Sequence, residues 1–316
     1  MTATLNTSES DLLQPFTLEG SAVRGRLVRL GVVVDTILAR HAYPDAVSRV
    51  LGELLVVASM LSSNLKQEGI LTIQMRGNGV VPMMVVDAVY GGELRGYAQL
   101  AENAADAIAN LPDTATPKYL LGDDSSLAIT FDPGKGMQRY QGVVALEGES
   151  ISDALATYFT HSQQIDVWFR LSCERLTVTR SWAAGGLMIE KIAASGGILP
   201  AEGASTERPV LSSDEAWRTA LALSNTVKAA ELLDAALPLS DLLFRLYHEN
   251  DARITPPQPL TMGCRCSRSR IFEVLMSMSP EDRAEMVVDG AASVTCQFCN
   301  QTEHFTPVEL GLSSLQ

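Results

Sequence analysis

Long apolar runs are missing. The longest, such as Val80 to Val86, are strand-sized and cut by Pro82, whereas a membrane-spanning helix needs about 20 apolar residues in succession. No membrane span is expected. Residues Met1 to Gln14 carry Glu9 and Asp11 but neither a basic nor an apolar region, which speaks against a secretory signal and for a cytoplasmic protein. Basic residues are in deficit: 24 Lys and Arg face 37 Asp and Glu, a net charge of −13. That balance disfavours nucleic acid and anionic membrane as partners. The four histidines, His41, His161, His248 and His304, are scattered. No Ser-His-Asp set, paired carboxylate or nucleotide loop can be assigned. Gly134-Lys135-Gly136 lacks the spacing of a phosphate loop and lies between strand-like runs, so it reads as a turn. A protein without enzymatic activity is the expectation.

Cysteines are also few, five in 316 residues, yet four of them form two tight pairs. Cys264-x-Cys266 and Cys296-x-x-Cys299 are separated by 29 residues. Zinc favours four tetrahedral thiolates supplied as two close pairs, so Cys264, Cys266, Cys296 and Cys299 are the candidate ligands of a Zn2+ site. Such a site is closed, which leaves no position for the water of a zinc hydrolase, and a ligand role for His304 would make one cysteine spare. Arg265, Arg268 and Arg270 beside the first pair either offset the negative charge of the thiolates or form a solvated charged turn. A disulfide across a single residue closes a strained ring, and strained, accessible disulfides are the labile ones. A permanent zinc clip and a redox-responsive site both remain open on spacing alone. Cys173, in the apolar run Val167 to Val178, reads as a buried small hydrophobe.

The rest of the chain reads as α+β in three segments: an N-terminal mixed α/β core domain over residues 1–198, a linker and helical middle segment over 199–257, and a small C-terminal four-cysteine zinc-binding domain over 258–316. Met1 to about Gly20 looks like a frayed polar lead. A strand is expected over Ala22 to Leu30 and a core helix from Pro44 to about Lys66, where Val47, Val50, Leu51, Leu54, Leu55, Ala58 and Leu61 recur at helical spacing. Period-two runs follow at Leu71 to Met75, Val80 to Tyr90 and Leu94 to Leu100, then a hairpin over Leu127 to Leu146. A helix over Ser152 to His161 precedes strands at Ile165 to Arg170, Leu176 to Ser181 and Leu187 to Ile192. Ala183-Ala184-Gly185-Gly186 suits a close approach of two backbones or a bend. Gly197 to Pro209 has linker composition. Ser212-Ser213-Asp214-Glu215 has capping-box spacing before an apolar helical stripe that needs a partner surface, and Pro256-Pro257-Gln258-Pro259 reads as a stiff spacer. The last module holds so few large apolar residues that metal must supply most of its folding energy.

Cys264-Arg265-Cys266-Ser267-Arg268-Ser269-Arg270 with Cys296-Gln297-Phe298-Cys299 resembles the zinc module of the 33 kDa chaperonin family, the HslO-type redox-regulated heat-shock chaperones of bacteria. Ala22-Val23-Arg24-Gly25, Tyr43-Pro44, Arg139 to Val144 with Leu146-Glu147-Gly148, Ala183 to Gly186 and Arg245 to Glu249 agree with it. The resemblance implies an ATP-independent holdase that binds unfolding proteins and passes them to a DnaK-type foldase. It implies a form that is inactive when reduced and zinc-bound, and a homodimer activated by disulfide formation and zinc release. It further implies that Cys264 pairs with Cys266 and Cys296 with Cys299 on oxidation. Two positions depart from the family pattern: Ser269 stands where Glu is common, and Asn300 where Gly is common. Asn tolerates the left-handed backbone such a knuckle wants.

Two other classes compete. A thiol-disulfide oxidoreductase would use Cys296-x-x-Cys299, but no βαβ pattern surrounds it and the C-x-C pair would be unexplained. A zinc-ribbon nucleic-acid module is disfavoured by a net charge of −3 from Gln258 onward, four arginines against seven acidic residues.

Overall fold

A computed structural model describes residues 10–19, 21–65, 68–102, 104–134, 137–192 and 212–312. The linker expected at Gly197 to Pro209 and the pair Lys135-Gly136 lie outside them. Where the sequence suggests three segments, the contacts gather into two compact units, Met1–Met262 and Gly263–Gln316.

The first unit is built around one buried helix. Strands β1 (Leu12–Leu18) and β2 (Val23–Leu30) lead into helices α1 (Val32–Leu38) and α2 (Asp45–Ser62). A meander follows of β3 (Ile70–Arg76), β4 (Met83–Val89) and β5 (Glu93–Gln99), then two short helices, α3 (Ala105–Ala109) and α4 (Pro117–Leu121). Next come hairpin β6 (Ser126–Asp132) and β7 (Tyr140–Ala145), α5 (Ile151–Tyr158) with a π turn, and hairpin β8 (Val167–Arg175) and β9 (Trp182–Lys191). The apolar stripe of α2 has its explanation here: Val47, Val50, Leu51, Leu54, Leu55 and Ala58 are all buried, and the helix packs on strands of both sheets, leaving Asp45, Arg49 and Glu53 as the strip that is not buried. Among the described residues no helix is long and apolar enough to cross a membrane.

Two expectations need correction here, and one helix goes beyond them. Leu12–Leu18 is no frayed lead: it pairs with β2 along its whole length and buries Leu13, Phe16 and Leu18, although Pro15 lowers its strand propensity. Leu176 to Ser181 is the turn joining β8 to β9, with Arg180 at φ +60° and the Leu176 N–H donating to the Ser181 carbonyl at 2.8 Å. The run Gly31 to Leu38 is helical despite three consecutive valines. Its first amides, Gly31, Val32 and Val33, donate to the Asp11 carboxylate at 2.9, 3.1 and 3.0 Å, a long-range N-cap that also sits well with the helix dipole.

The middle helices α6 (Ser213–Ser224), α7 (Ala229–Leu233) and α8 (Leu239–Tyr247) find their partner surface on the β1-β2-β9 sheet. Leu232, Leu242, Leu243, Leu246 and Tyr247 bury themselves against Phe16, Leu18, Val23, Leu27, Leu187 and Ile189. Ser212 and Glu215 form the capping box on α6. Gly185 permits the close approach its sequence suggested, since a Cβ there would lie 2.6 Å from the Leu232 carbonyl oxygen. Below the helices sits Arg29, 1% exposed, whose guanidinium donates to the carbonyls of Leu232 at 3.0 Å, Leu237 at 2.7 Å and Glu231 at 3.1 Å. The carbonyls of Glu231 and Leu232 are ones that the end of α7 leaves without partners of its own, and Leu237 lies in the loop ahead of α8.

Pro256 to Pro259 is not a free spacer. Residues 252–262 form a strap of three short strands: β10 (Ala252–Ile254) and β11 (Gln258–Pro259) pair with β1, and β12 (Thr261–Met262) pairs parallel with β5. Leu260 is buried in the main core between them. The sheets therefore run β10-β1-β2-β9-β8, with β11 also on β1, and β12-β5-β4-β3-β6-β7.

One half-buried acid in this unit is testable. Burial pushes the Glu53 carboxyl on α2 up to about 7, while Arg49, 4.0 Å away, pulls it back. A raised carboxyl pKa means the folded state holds the proton more tightly. Its stabilising effect is complete below the unfolded value near 4.5 and fades as pH rises through 7. Glu53→Gln is therefore expected to raise the melting temperature at pH 8, by the equivalent of up to about 3 kcal/mol. The gain should shrink toward pH 4.5; thermal denaturation across that range checks it.

The second unit comprises α9 (Arg268–Met276), α10 (Pro280–Glu285) and a three-stranded sheet of β13 (Val287–Val288), β14 (Ala291–Thr295) and β15 (Thr302–Phe305). Its fully buried apolar residues are Leu275, Ala292, Phe305 and Leu310.

Candidate metal centre

Each cysteine pair is held by local backbone structure. The first lies just ahead of α9, whose N-cap Ser267 accepts from the Arg270 N–H at 3.2 Å and fixes where the helix begins. The second sits in the knuckle between β14 and β15, closed by the Cys296 N–H on the Gln301 carbonyl at 2.9 Å and the Asn300 N–H on the Cys296 carbonyl at 2.8 Å. Asn300 takes φ +56°, the left-handed conformation expected of it. Arg268 then ties the two halves together. Its guanidinium reaches the Glu309 carboxylate at 2.6 Å, the Glu303 carboxylate at 3.2 Å and the His304 carbonyl at 2.6 Å, and lies 4.3 Å from the Phe305 ring centroid. Arg268 is thus committed to Glu303 and Glu309, and Arg270 donates to the Arg265 carbonyl at 3.1 Å.

The four sulfurs converge. Cys264 Sγ lies 3.7 Å from Cys296 Sγ, Cys266 Sγ lies 3.3 Å from Cys299 Sγ, and all four are within 4.8 Å of one another. A tetrahedral ion with 2.3 Å metal–sulfur bonds spaces its thiolates about 3.8 Å apart, so the donor set fits such an ion in type, number and spacing. All four are free thiols, and Cys299 is buried while the others are half-buried. Partial burial pushes the Cys264 thiol up, but the Cys266 backbone N–H and the three facing cysteines outweigh it and bring Cys264 down to about 7. Burial and the neighbouring sulfurs raise Cys266, and burial raises Cys299. One thiolate forms readily and the next resist, a mutual opposition that a divalent cation removes.

The other sequence candidates lie elsewhere. His304 bonds Ser293 at 2.9 Å, and His41 packs between the rings of Tyr43 and Tyr97. Cys173 is 1% exposed in the main core, where burial drives its thiol well up, as an inert small hydrophobe requires. Asp11 and Arg29, which fix α1 and the middle helices, escaped sequence reading; their partners lie 20 to 22 and 202 to 208 residues away along the chain.

Residues 11–306 match the family model described as Hsp33 protein. The chain is 36% identical over 302 residues to a 33 kDa chaperonin of Pseudomonas syringae pv. syringae (strain B728a), covering 95% of this chain and 92% of that one. It is likewise 36% identical over 300 residues to the 33 kDa chaperonin of Caulobacter vibrioides (strain NA1000 / CB15N), with 94% and 95% covered. The crystal structure of a 33 kDa chaperonin from Thermotoga maritima superposes with a TM-score of 0.75 at 21% identity over 95% of this chain and 97% of the other, a shared fold.

Proposed function

The chain belongs to the Hsp33 protein family, and from that premise we propose that it is an ATP-independent holdase, cytoplasmic, held inactive by zinc and switched on by oxidants. The observation that carries the reading is the cluster of four thiols within 4.8 Å in a unit whose buried apolar cluster, among the described residues, is Leu275, Ala292, Phe305 and Leu310. Cys264, Cys266, Cys296 and Cys299 hold the Zn2+. When bound, the ion stabilises all four thiolates and supplies folding energy that this small core lacks, on the order of 10 kcal/mol in comparable peptides.

Oxidation acts on the sulfurs. Each disulfide takes two thiols and one peroxide, giving up two protons and two electrons and yielding two waters. Cys264 with Cys266 and Cys296 with Cys299 are the pairs, following the family resemblance, and four sulfurs so paired no longer coordinate. The covalent route from Gly263 back to the middle helices runs through β12, β11 and β10. Loss of order in residues 258–316 loosens that strap, and the middle segment within residues 199–257 leaves the core domain of residues 1–198. The face it uncovers, Phe16, Leu27, Leu187 and Ile189 opposite Leu242 and Tyr247, binds unfolding proteins through apolar area rather than sequence. The active form is a homodimer, and a DnaK-type foldase receives the clients.

The test is a peroxide titration of the reduced, zinc-loaded protein, following zinc release with a chromophoric chelator and suppression of a test protein's aggregation. Both are expected to rise together and to fall on thiol reduction. Suppression at full strength before any thiol is oxidised, or none after all are, would refute the switch.

A further inference from the structure

One charged side chain of the second unit is buried beside a weak acceptor. Arg283, on α10, is 7% exposed, and its Nε has no hydrogen-bond partner among the described residues. A guanidinium taken out of water ordinarily faces a carboxylate or a set of carbonyl oxygens, because leaving its donors unmet is costly. Here Nη1 meets a sulfur instead, lying 2.8 Å from Sδ of Met276. A thioether accepts hydrogen bonds only weakly.

Local structure brings the two together. Met276 closes α9, and α10 begins three residues later at Ser279, whose hydroxyl accepts from the Asp282 N–H at 3.1 Å ahead of Pro280 in the first helical position. The chain reversal between them sets the last side chain of α9 against Arg283. Met276 is 42% exposed, whereas Met278 and Met286 are half-buried against the cluster of Leu275 and Phe305. Its sulfur therefore has a guarded side and an open one. Of the two lone pairs of a thioether, one faces the buried guanidinium and the other is left to solvent.

We propose that Met276 is a site of reversible sulfoxidation by hypochlorous acid, attacked from one face only, with Arg283 as the positioning residue. The sulfur gives two electrons to chlorine: thioether and hypochlorous acid become sulfoxide, chloride and a proton, the O–Cl bond breaking as the S–O bond forms. The sulfoxide oxygen is a stronger acceptor than the thioether, and methionine torsions are soft enough to turn it toward Nη1 and Nε. The buried cation then gains an oxygen partner. Oxidation at this atom ties α9 to α10 more firmly, the opposite of what oxidation does at the cysteines. None of this depends on whether the chain is a holdase.

Two variants of the reduced, zinc-loaded, full-length protein report without any oxidant. Met276→Gln offers Arg283 an amide oxygen, and Met276→Leu offers no acceptor. Amide exchange in α10 is expected to be about tenfold slower in Met276→Gln than in Met276→Leu, the worth of one hydrogen bond to a charged group. The parent is then given hypochlorous acid in steps below the dose that first releases zinc. It is unfolded, treated with the S-specific or the R-specific methionine sulfoxide reductase, and mapped by peptide mass spectrometry. Met276 is expected to be oxidised ahead of Met278 and Met286, and to be repaired by one reductase alone. Arg283→Leu, checked for retained zinc, should give both epimers. Equal exchange in the two Met276 variants, no Met276 sulfoxide before zinc leaves, or both epimers in the parent would overturn the proposal. So would a single epimer in Arg283→Leu, because something other than the guanidinium would then guard the sulfur. Failure of the holdase reading shows separately, as no aggregation suppressed under peroxide, and leaves these outcomes untouched.

Discussion

Arg29→Met is expected to free α6, α7 and α8 from the sheet while the α2 core stays folded. The guanidinium is 1% exposed and donates to three carbonyls of the middle segment. Hydrogen bonds to a charged group are worth about 1.5 to 3 kcal/mol each, and their loss leaves buried carbonyls unsatisfied. A net cost on the order of 4 kcal/mol falls on one small set of contacts. Methionine keeps the apolar stem, so the effect isolates the donors from the packing. Trp217, part-buried on α6 against this cluster, should shift its emission to the red, and limited proteolysis should cut between Ser212 and Tyr247. On the proposed function, the variant should also suppress aggregation without oxidant. Unchanged emission and an unchanged cleavage pattern would show that apolar contact alone holds the segment.

On the proposed function, a chelator under reducing conditions is expected to unfold Gly263 to Leu312 and leave the α2 core folded. The fully buried apolar set of the second unit, Leu275, Ala292, Phe305 and Leu310, is too small to offset the chain entropy of some 50 residues. The surface ion pairs of Arg268 with Glu303 and Glu309 add little, being exposed. Cys299→Ser should act similarly, because it removes the most buried donor. Amide resonances of residues 263–312 collapsing to random-coil positions, with those of α2 and β3 unmoved, is the expected spectrum. A dispersed spectrum for the metal-free unit would mean that its few contacts suffice.

Local chemistry was the legible part of this chain. The four cysteines, the capping box of Ser212 and Glu215 and the left-handed Asn300 depend on neighbours a few residues away, and the structure has them where spacing put them. The α2 stripe and the period-two strands were equally plain. What sequence could not supply was partnership at a distance. β1 was hidden by Pro15 and by a polar surrounding, and its reality depends on β2 and the strap. The apolar stripe of α6 to α8 announced a need for cover, but only the fold identifies that cover as the sheet carrying Phe16 and Leu187. The proline-rich run at 256–259 looked like a tether because its pairing partners lie some 240 residues earlier.

That same pairing bears on how the protein is made. β1 leaves the ribosome well before residues 252–259, which fill one of its two flanks, and before Leu260, which completes the main core. A nascent chain halted before residue 252 would carry a half-paired first strand and a gap in its centre. Native closure of the larger unit therefore waits until Leu260 has been translated, some 240 residues after β1, a long interval of exposure for a molecule whose relatives are named as chaperones.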